Sequence, residues 1–264
     1  MLATVSSPSH RPAALSSSPE AALSSTALAA LAQFMAESQA LEEMVSAYAA
    51  ADELASSSSD KSNEWTMDAF PEQWGMSQFW NDEHTARTLA RECVAQARGG
   101  TIVLISSPSV FLMLKKMGVK NKLILLEFDD RFAVFPEFQF YDFARPLALG
   151  RLKDDKEKAA VVLVDPPYVN DECFSKAAQT ARALAGPETK FIACTGWVVR
   201  QCAASVLGVK MINFRPGHAG GLATPFRAYV NYESRNPAFQ FDADPEDGDN
   251  DGTAFAGAGG VGTA

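Results

Sequence analysis

Short apolar runs alternate with helical patterns through the middle of this chain of 264 residues. Runs of consecutive apolar side chains are typical of strands that are buried on both faces of a sheet. They predict strands at 101–105, 123–128, 160–164 and 190–194, and an aromatic-rich run predicts another at 137–143. Helical patterns predict helices at 83–97, 110–117, 172–184 and 200–207, and two last strands are predicted at 210–214 and 226–232.

The alternation of strands and helices favours a parallel sheet that is covered by helices on both faces. The two last strands follow each other without a helix, which indicates a hairpin in which one strand runs antiparallel. The predicted fold class is therefore α/β, a doubly wound and mostly parallel sheet of seven strands with a terminal antiparallel strand. Apolar residues at helical spacing over 26–48 predict an additional amphipathic N-terminal helix.

The composition changes at both ends of the chain. Residues 1–22 are rich in Ser, Ala and Pro, and residues 236–264 hold an acidic run followed by Gly and Ala. Such compositions cannot bury enough apolar surface to fold, so both segments are predicted to be disordered tails around one domain at 23–235. The first segment has one Arg and no acid before Glu20, so an organelle-targeting role for it stays open.

The net charge of -9 and the pI near 4.9 argue against a protein that depends on contacts with phosphates. They suit an enzyme for small molecules or for a basic protein, and stable partners among nucleic acids are not expected. No apolar run of about 18 residues predicts a membrane span. The four cysteines form no C-x-x-C pair, which predicts neither a metal site nor a secreted disulfide framework. A reduced, cytoplasmic setting is expected.

The tetrapeptide Asp165-Pro166-Pro167-Tyr168 stands between a predicted strand and a helix-start signal at Asn170. It therefore lies at the carboxyl end of a strand, where open α/β sheets bind ligands. The Asp165 carboxylate and the Pro166 carbonyl can accept hydrogen bonds from an amine, and Tyr168 offers an aromatic face. The pattern resembles the catalytic loop of amino-group methyltransferases that use S-adenosylmethionine, although a turn that only ends a strand is the alternative.

Several motifs in order make a more specific resemblance. They include Ser77-Gln78-Phe79-Trp80, Ser107-Pro108-Ser109-Val110, the tetrapeptide at 165–168 and Tyr229-Val230-Asn231-Tyr232. With these motifs, the region 23–234 resembles the elongation factor 1-alpha lysine methyltransferase family, whose members were first described as N6-adenine-specific DNA methyltransferase-like proteins. The resemblance implies a class I methyltransferase sheet and a monomeric cytoplasmic enzyme. It also implies S-adenosylmethionine as cofactor and a lysine of translation elongation factor 1-alpha as acceptor.

Acidic residues at two predicted strand ends are candidates for holding that cofactor. Glu127 ends the second strand, where an acid commonly accepts hydrogen bonds from ribose hydroxyls, with Asp129 as the alternative. Asp142 follows the next strand and can accept from the adenine amino group, while Phe143 can cover the ring. For each of these residues, a solvated strand end is the structural alternative.

The methionine end of the cofactor is expected near two other motifs. Ser106-Ser107-Pro108-Ser109 stands where methyltransferases of this fold usually have Gly-x-Gly, and the small side chains of Ser107 and Ser109 still permit close approach and can donate hydrogen bonds. By resemblance, the segment 77–80 folds over the cofactor. Gln78 would bind the methionine carboxylate and Phe79 and Trp80 would wall the pocket, unless the two rings are ordinary core aromatics.

Three functions are consistent with these residues. The first is a protein-lysine methyltransferase, the second an adenine-N6 methyltransferase acting on nucleic acid, and the third a non-catalytic module that kept the fold. A lysine has a pKa of about 10.4 in water and must lose a proton before it attacks. Asp165 is expected to orient the amine and stabilise the developing ammonium rather than act as a strong base. The lone histidines His84 and His218 are expected to be structural or exposed rather than catalytic.

Overall fold

The structure of the protein is a computed structural model, and it describes residues 66–150, 152, 158–221 and 225–242. The predicted tail at 1–22 and the predicted N-terminal helix at 26–48 lie outside the described residues. The same holds for residues 243–264 of the second predicted tail.

Within the described residues, seven strands form one sheet. They are β1 Ile102–Ile105, β2 Leu123–Glu127, β3 Phe138–Phe140, β4 Ala159–Val164, β5 Ala185–Gly196, β6 Lys210–Met211 and β7 Phe226–Val230. Their spatial order is β3-β2-β1-β4-β5-β7-β6. Strands β1 to β5 are parallel, whereas β7 pairs antiparallel with both β5 and β6. This arrangement confirms the predicted fold class and places the antiparallel strand β7 inside the sheet.

The described residues also form four α-helices: α1 Glu83–Ala97, which precedes β1, and α2 Pro108–Lys116, α3 Asp171–Leu184 and α4 Arg200–Leu207, which lie between strands. Local side chains fix where two of them begin. Asp82 accepts a hydrogen bond from the Thr85 amide at 2.7 Å at the start of α1, and Asn170 does the same for Cys173 at 2.9 Å at the start of α3. The cap at Asn170 also ends the loop that carries Asp165 to Tyr168.

The side chains of β1 and β4 supply the centre of the core. Val103, Ile105, Val162 and Val164 are buried against α3 and α4, whose inward residues include Phe174, Ala177, Ala181, Ala203 and Leu207. Alternate residues of the same strands, such as Leu104 and Leu163, are also buried. Burial on both faces explains why these strands consist of consecutive apolar residues.

Two strands are shorter than the sequence predicts by more than two residues. The strand predicted at 137–143 contains only β3, because the chain turns at Asp142, whose Oδ1 accepts a hydrogen bond from the Ala144 amide at 2.8 Å. The strand predicted at 210–214 contains only β6, because the Asn213 amide leaves the sheet and donates to the Gln240 carbonyl at 2.9 Å. In contrast, β5 begins before the predicted residue 190.

The described structure continues beyond the predicted domain end at residue 235. Phe239 is only 1% exposed, and its ring stacks on that of Phe214 with centroids 5.7 Å apart. The segment continues to Asp242, which forms an ion pair with Arg215. The packed part therefore extends beyond residue 235 at least as far as Asp242, because Phe239 in this otherwise polar segment is buried against Phe214.

Among the described residues, no helix has both the length and the apolar character needed to cross a bilayer. Within the same part of the chain, no three or more His, Cys, Asp or Glu side chains are grouped so that they could hold a metal ion.

Candidate active site

The carboxyl ends of β1 to β4 open into a cavity of about 450 Å³, which is large enough for a nucleotide-sized ligand. All but one of the predicted site residues line it: Gln78, Phe79, Trp80, Ser107, Ser109, Glu127, Asp142, Phe143, Asp165, Pro166, Pro167 and Tyr168. The exception is Asp129. The sheet thus brings together residues that lie up to 90 positions apart in the sequence, from Gln78 to Tyr168.

The tetrapeptide forms the wall of the cavity beside β4. The Asp165 amide donates to the Ile105 carbonyl at 3.0 Å, which ties the loop to the neighbouring strand β1. Asp165 Oδ2 accepts a hydrogen bond from the side-chain amide of Asn81, whose Nδ2 lies at 3.0 Å. Tyr168 is 41% exposed and meets Phe143 edge-on, with ring centroids 5.7 Å apart. The loop therefore presents a carboxylate and a partly open aromatic face to the cavity.

The Asp165 carboxyl is strongly affected by this environment. Loss of hydration raises its pKa from the ordinary 3.8 to about 7, and the hydrogen bond from Asn81 opposes that rise. Near neutral pH, Asp165 is therefore divided between its protonated and ionised forms. It can take up or release a proton at the pH at which most enzymes work.

Glu127 ends β2 and faces the same cavity. Its Oε1 accepts hydrogen bonds from the amides of Phe128 at 2.8 Å and Asp129 at 3.1 Å. Burial raises the pKa of Glu127 to about 7, the two backbone hydrogen bonds oppose the rise, and the carboxylates of Asp129 and Asp165 add to it. A ligand that brings hydroxyl donors or positive charge into the cavity would favour the ionised form of this group.

Asp129 already pairs with two side chains of the protein, those of Arg131 and Gln78. It forms an ion pair with Arg131, whose Nη2 lies 2.6 Å from Oδ2, and it accepts a hydrogen bond from Gln78 Nε2 at 2.8 Å. Gln78 Oε1 in turn accepts from the Gln73 amide at 3.0 Å. Both ends of the Gln78 amide are therefore engaged within the protein. The network anchors the segment around Gln78 against the end of β2, so that its backbone closes one side of the cavity.

Trp80 belongs to both the cavity wall and the core. Its Nε1 donates to the Phe70 carbonyl at 2.7 Å, and its ring meets Phe132 edge-on at 6.2 Å. Phe79 also lines the cavity and is half-buried. Trp80 therefore has both of the roles considered for the two aromatic residues, since it walls the pocket and also belongs to the core.

The serine-rich loop after β1 keeps a backbone shape that usually requires glycine. Ser106 has φ +53°, in the left-handed region that side chains rarely adopt. Ser107 Oγ is buried and has no hydrogen-bond partner within the described structure. A buried hydroxyl without a partner is costly, so this group is available to a ligand in the cavity.

Several cavity residues were not predicted from the sequence. Asn81, Phe128, Tyr141, His218 and Phe226 all line it. Phe128 directly follows Glu127, so its position beside the predicted acid was a usable signal. Asn81 and His218 form a backbone bridge between loops that are distant in the sequence. No local sequence pattern predicts such a pairing.

The raised pKa of Glu127 predicts a pH-dependent effect on stability. The folded protein binds this proton more tightly than the unfolded chain, so the stability that Glu127 contributes is present at low pH and is lost between about pH 4.5 and 7. Glu127→Gln keeps an oxygen for the backbone amides but removes the charge. We expect its melting temperature, relative to the unsubstituted protein, to be higher at pH 8 than at pH 5. Calorimetric melts without cofactor at both pH values test this, and an equal difference at the two would contradict it.

Comparison with known proteins places these residues in a family context. The model of a family described as probable N6-adenine methyltransferase matches residues 72–234. EEF1A lysine methyltransferase 1 of Gallus gallus is 39% identical over 80% of this chain and 94% of its own length. Protein-lysine N-methyltransferase EFM5 of Saccharomyces cerevisiae is 32% identical over 80% of this chain and 92% of its own length. Among solved structures, TrmN from Thermus thermophilus matches with a TM-score of 0.38 and 13% identity, covering 55% of this chain and 48% of that protein.

Proposed function

The chain belongs to the family of EEF1A lysine methyltransferase 1 and protein-lysine N-methyltransferase EFM5, and we propose that it transfers a methyl group from S-adenosylmethionine to a lysine of elongation factor 1A. The observation that carries the choice of acceptor is that both relatives are named as protein-lysine methyltransferases. We extend the proposal to a monomer that acts in the cytoplasm.

The residues of the cavity fit S-adenosylmethionine. Glu127 offers a carboxylate to ribose hydroxyls, and the unpartnered Ser107 hydroxyl offers a donor near the serine-rich loop. Asp142 and Phe143 line the same cavity and offer an acceptor and a ring for adenine. When bound, this cofactor supplies an electrophilic methyl group on a positively charged sulfur.

The Asp165 loop suits an amine acceptor. The carboxylate of Asp165 and the carbonyl of Pro166 can accept hydrogen bonds from the N–H groups of the amine, which fixes the direction of its lone pair. Asp165 also stabilises the positive charge that develops on the nitrogen. With a pKa of about 7 in this cavity, part of Asp165 is present at neutral pH as the carboxylate that both roles need. The proton that a lysine must lose before it attacks then passes to water, so Asp165 keeps the orienting and stabilising role expected from the sequence.

Adenine-N6 methylation of nucleic acid is the second candidate, because the matching family model is described as a probable N6-adenine methyltransferase. Tyr168 could stack on a base as readily as it covers an alkyl ammonium. The net charge of -9 weakens this candidate, because binding of nucleic acid depends on cationic contacts with phosphates.

One experiment separates the two candidates. The full chain is incubated with methyl-labelled S-adenosylmethionine and, in parallel, with purified elongation factor 1A, DNA and RNA. Label on a lysine of the elongation factor, located by mass spectrometry, and none above background on nucleic acid is the expected result. Labelled DNA or RNA with an unlabelled elongation factor would refute the lysine proposal in favour of adenine.

Tyr168 allows a test of how the acceptor is held. Phe at position 168 keeps the ring that faces Phe143, whereas Ala removes it. We expect Tyr168→Phe to retain more than half of the methyl transfer rate and Tyr168→Ala to lose about tenfold, because aromatic and cation–π contacts contribute about 1 kcal/mol or more. Steady-state rates on the elongation factor measure this. If Phe is as damaging as Ala, the hydroxyl and not the ring is the important group.

A further inference from the structure

A short backbone pairing holds Asn81 beside the tetrapeptide loop. The Asp82 amide donates to the Gly217 carbonyl at 3.0 Å, and the Ala219 amide donates to the Trp80 carbonyl at 2.9 Å. Asn81 and His218 stand opposite each other in this antiparallel bridge. Opposed residues of such a pair project their side chains to the same side, and both residues line the cavity.

The Asn81 side chain makes one described hydrogen bond, and its partner is Asp165. Nδ2 donates to Asp165 Oδ2 at 3.0 Å across 84 positions of the sequence. The residue is only 6% exposed, and its Oδ1 is buried without a partner in the described structure. An unpaired buried oxygen costs stability, so an apolar side chain would serve packing better. The amide is thus explained by Asp165 rather than by the fold.

We propose that Asn81 is a positioning residue, which favours the ionised form of Asp165 and orients its carboxyl group so that the other oxygen is free for the acceptor amine. The inference rests on the proposed function in one respect, the identity of the acceptor. The donated hydrogen bond stabilises the charged form of the carboxyl against the desolvation of the cavity. It also blocks rotation of the carboxyl group, so that the remaining oxygen keeps one direction.

Other ionisable groups face Asp165 from the elements around it. Glu127 approaches from β2 and adds negative charge, Cys194 lies on β5 and is held as a thiol by burial, and His218 lies across the cavity. Burial lowers the pKa of His218 and favours its neutral ring, while the charges of Asp82 and Glu72 oppose that shift. Because no neighbouring cation is described at Asp165, the amide of Asn81 is the group that favours its ionised state.

Two variants at this position should respond to pH in opposite directions. In Asn81→Ala, Asp165 loses its donor and ionises only at higher pH, so the rate relative to the unsubstituted enzyme should rise from pH 6 to pH 9. In Asn81→Asp, the introduced carboxyl can donate a hydrogen bond to Asp165 as long as the introduced group is protonated. Once both carboxyls are ionised, they repel each other. The relative rate of this variant should therefore fall over the same range.

Further readouts distinguish a positioning role from a structural one. At pH 7, Asn81→Ala should lower kcat by about 10- to 100-fold, the effect of losing a hydrogen bond to a charged group, with KM for the acceptor within threefold. Asn121→Ala is the matched control, because its amide also makes one hydrogen bond, to the Gly100 carbonyl at 2.8 Å, outside the cavity. This control should keep the full rate at every pH.

The proposal can fail independently of the acceptor's identity. A carbon NMR titration of Asp165, without substrate or cofactor, should give a higher pKa in Asn81→Ala than in the unsubstituted protein. An unchanged pKa, relative rates that do not depend on pH, or failure of both variants to fold would overturn the positioning role. If the enzyme labels nucleic acid instead, the proposed function fails, and the same rate ratios measured on that acceptor still test Asn81.

Discussion

Replacement of Asp165 by alanine is expected to lower the rate of methyl transfer by about 10²- to 10³-fold while the affinity for S-adenosylmethionine stays within about threefold. The carboxylate contacts the acceptor and stabilises charge that appears only as the methyl group is transferred, so its loss affects the transition state. Single-turnover rates on the elongation factor, combined with calorimetric titration of the cofactor, separate the two effects.

Two further variants test whether the loss of rate comes from the charge of Asp165 and whether it is specific to the cavity. Asp165→Asn keeps the shape of the side chain and removes the charge, so it should be nearly as slow as alanine. Asp171→Ala removes an equal charge from the exposed start of α3, which lies outside the cavity, and should keep the full rate. A rate within tenfold of the unsubstituted enzyme in Asp165→Ala would show that this carboxylate does not act on the acceptor.

Replacement of Glu127 by alanine is expected to weaken binding of S-adenosylmethionine by about 10- to 100-fold, which corresponds to about 1.5–3 kcal/mol for hydrogen bonds to a charged group. Glu127 is the acidic residue at the end of β2 that faces the cavity, and its neighbour Asp129 is already paired with Arg131. Isothermal titration calorimetry on folded protein measures the change.

The charge of Glu127 adds a pH dependence to this binding. Since the pKa of Glu127 is about 7, its carboxylate is fully ionised only above neutral pH, and affinity for S-adenosylmethionine should increase from pH 6 to pH 8. In Glu127→Gln, that increase should be smaller. Glu137→Ala is a suitable control, because this carboxylate pairs with Lys115 outside the cavity. Unchanged affinity for S-adenosylmethionine in Glu127→Ala would show that Glu127 at the end of β2 does not bind the ribose hydroxyls.

The sequence predicts the centre of the sheet well and its edges less well. β1 and β4 are buried on both faces, so their residues are uniformly apolar and unambiguous. β3 and β6 lie at the two edges of the sheet, and they end where turns and long-range hydrogen bonds take the backbone away. Such contacts, like that between Asn213 and Gln240, have no local pattern.

The candidate site shows the same division. The tetrapeptide and Glu127 are predictable, because each follows an apolar strand at the edge where ligands bind. The choice between Glu127 and Asp129 needs the structure, since it depends on Arg131 and Gln78 as partners of Asp129. Asn81 could not be predicted, because its importance arises from a contact with Asp165 that only the folded chain creates.

The position of β7 between β5 and β6 has a consequence for synthesis on the ribosome. Among the described strands, β7 is the last to be made, yet it covers the open edge of β5 and gives β6 its neighbour. At about 5–20 residues per second, the nascent chain exposes the backbone groups of β5 for seconds before residues 226–230 emerge. Exposed strand edges recruit other strands, so chains that stop before Phe226 should be prone to aggregation and dependent on chaperones.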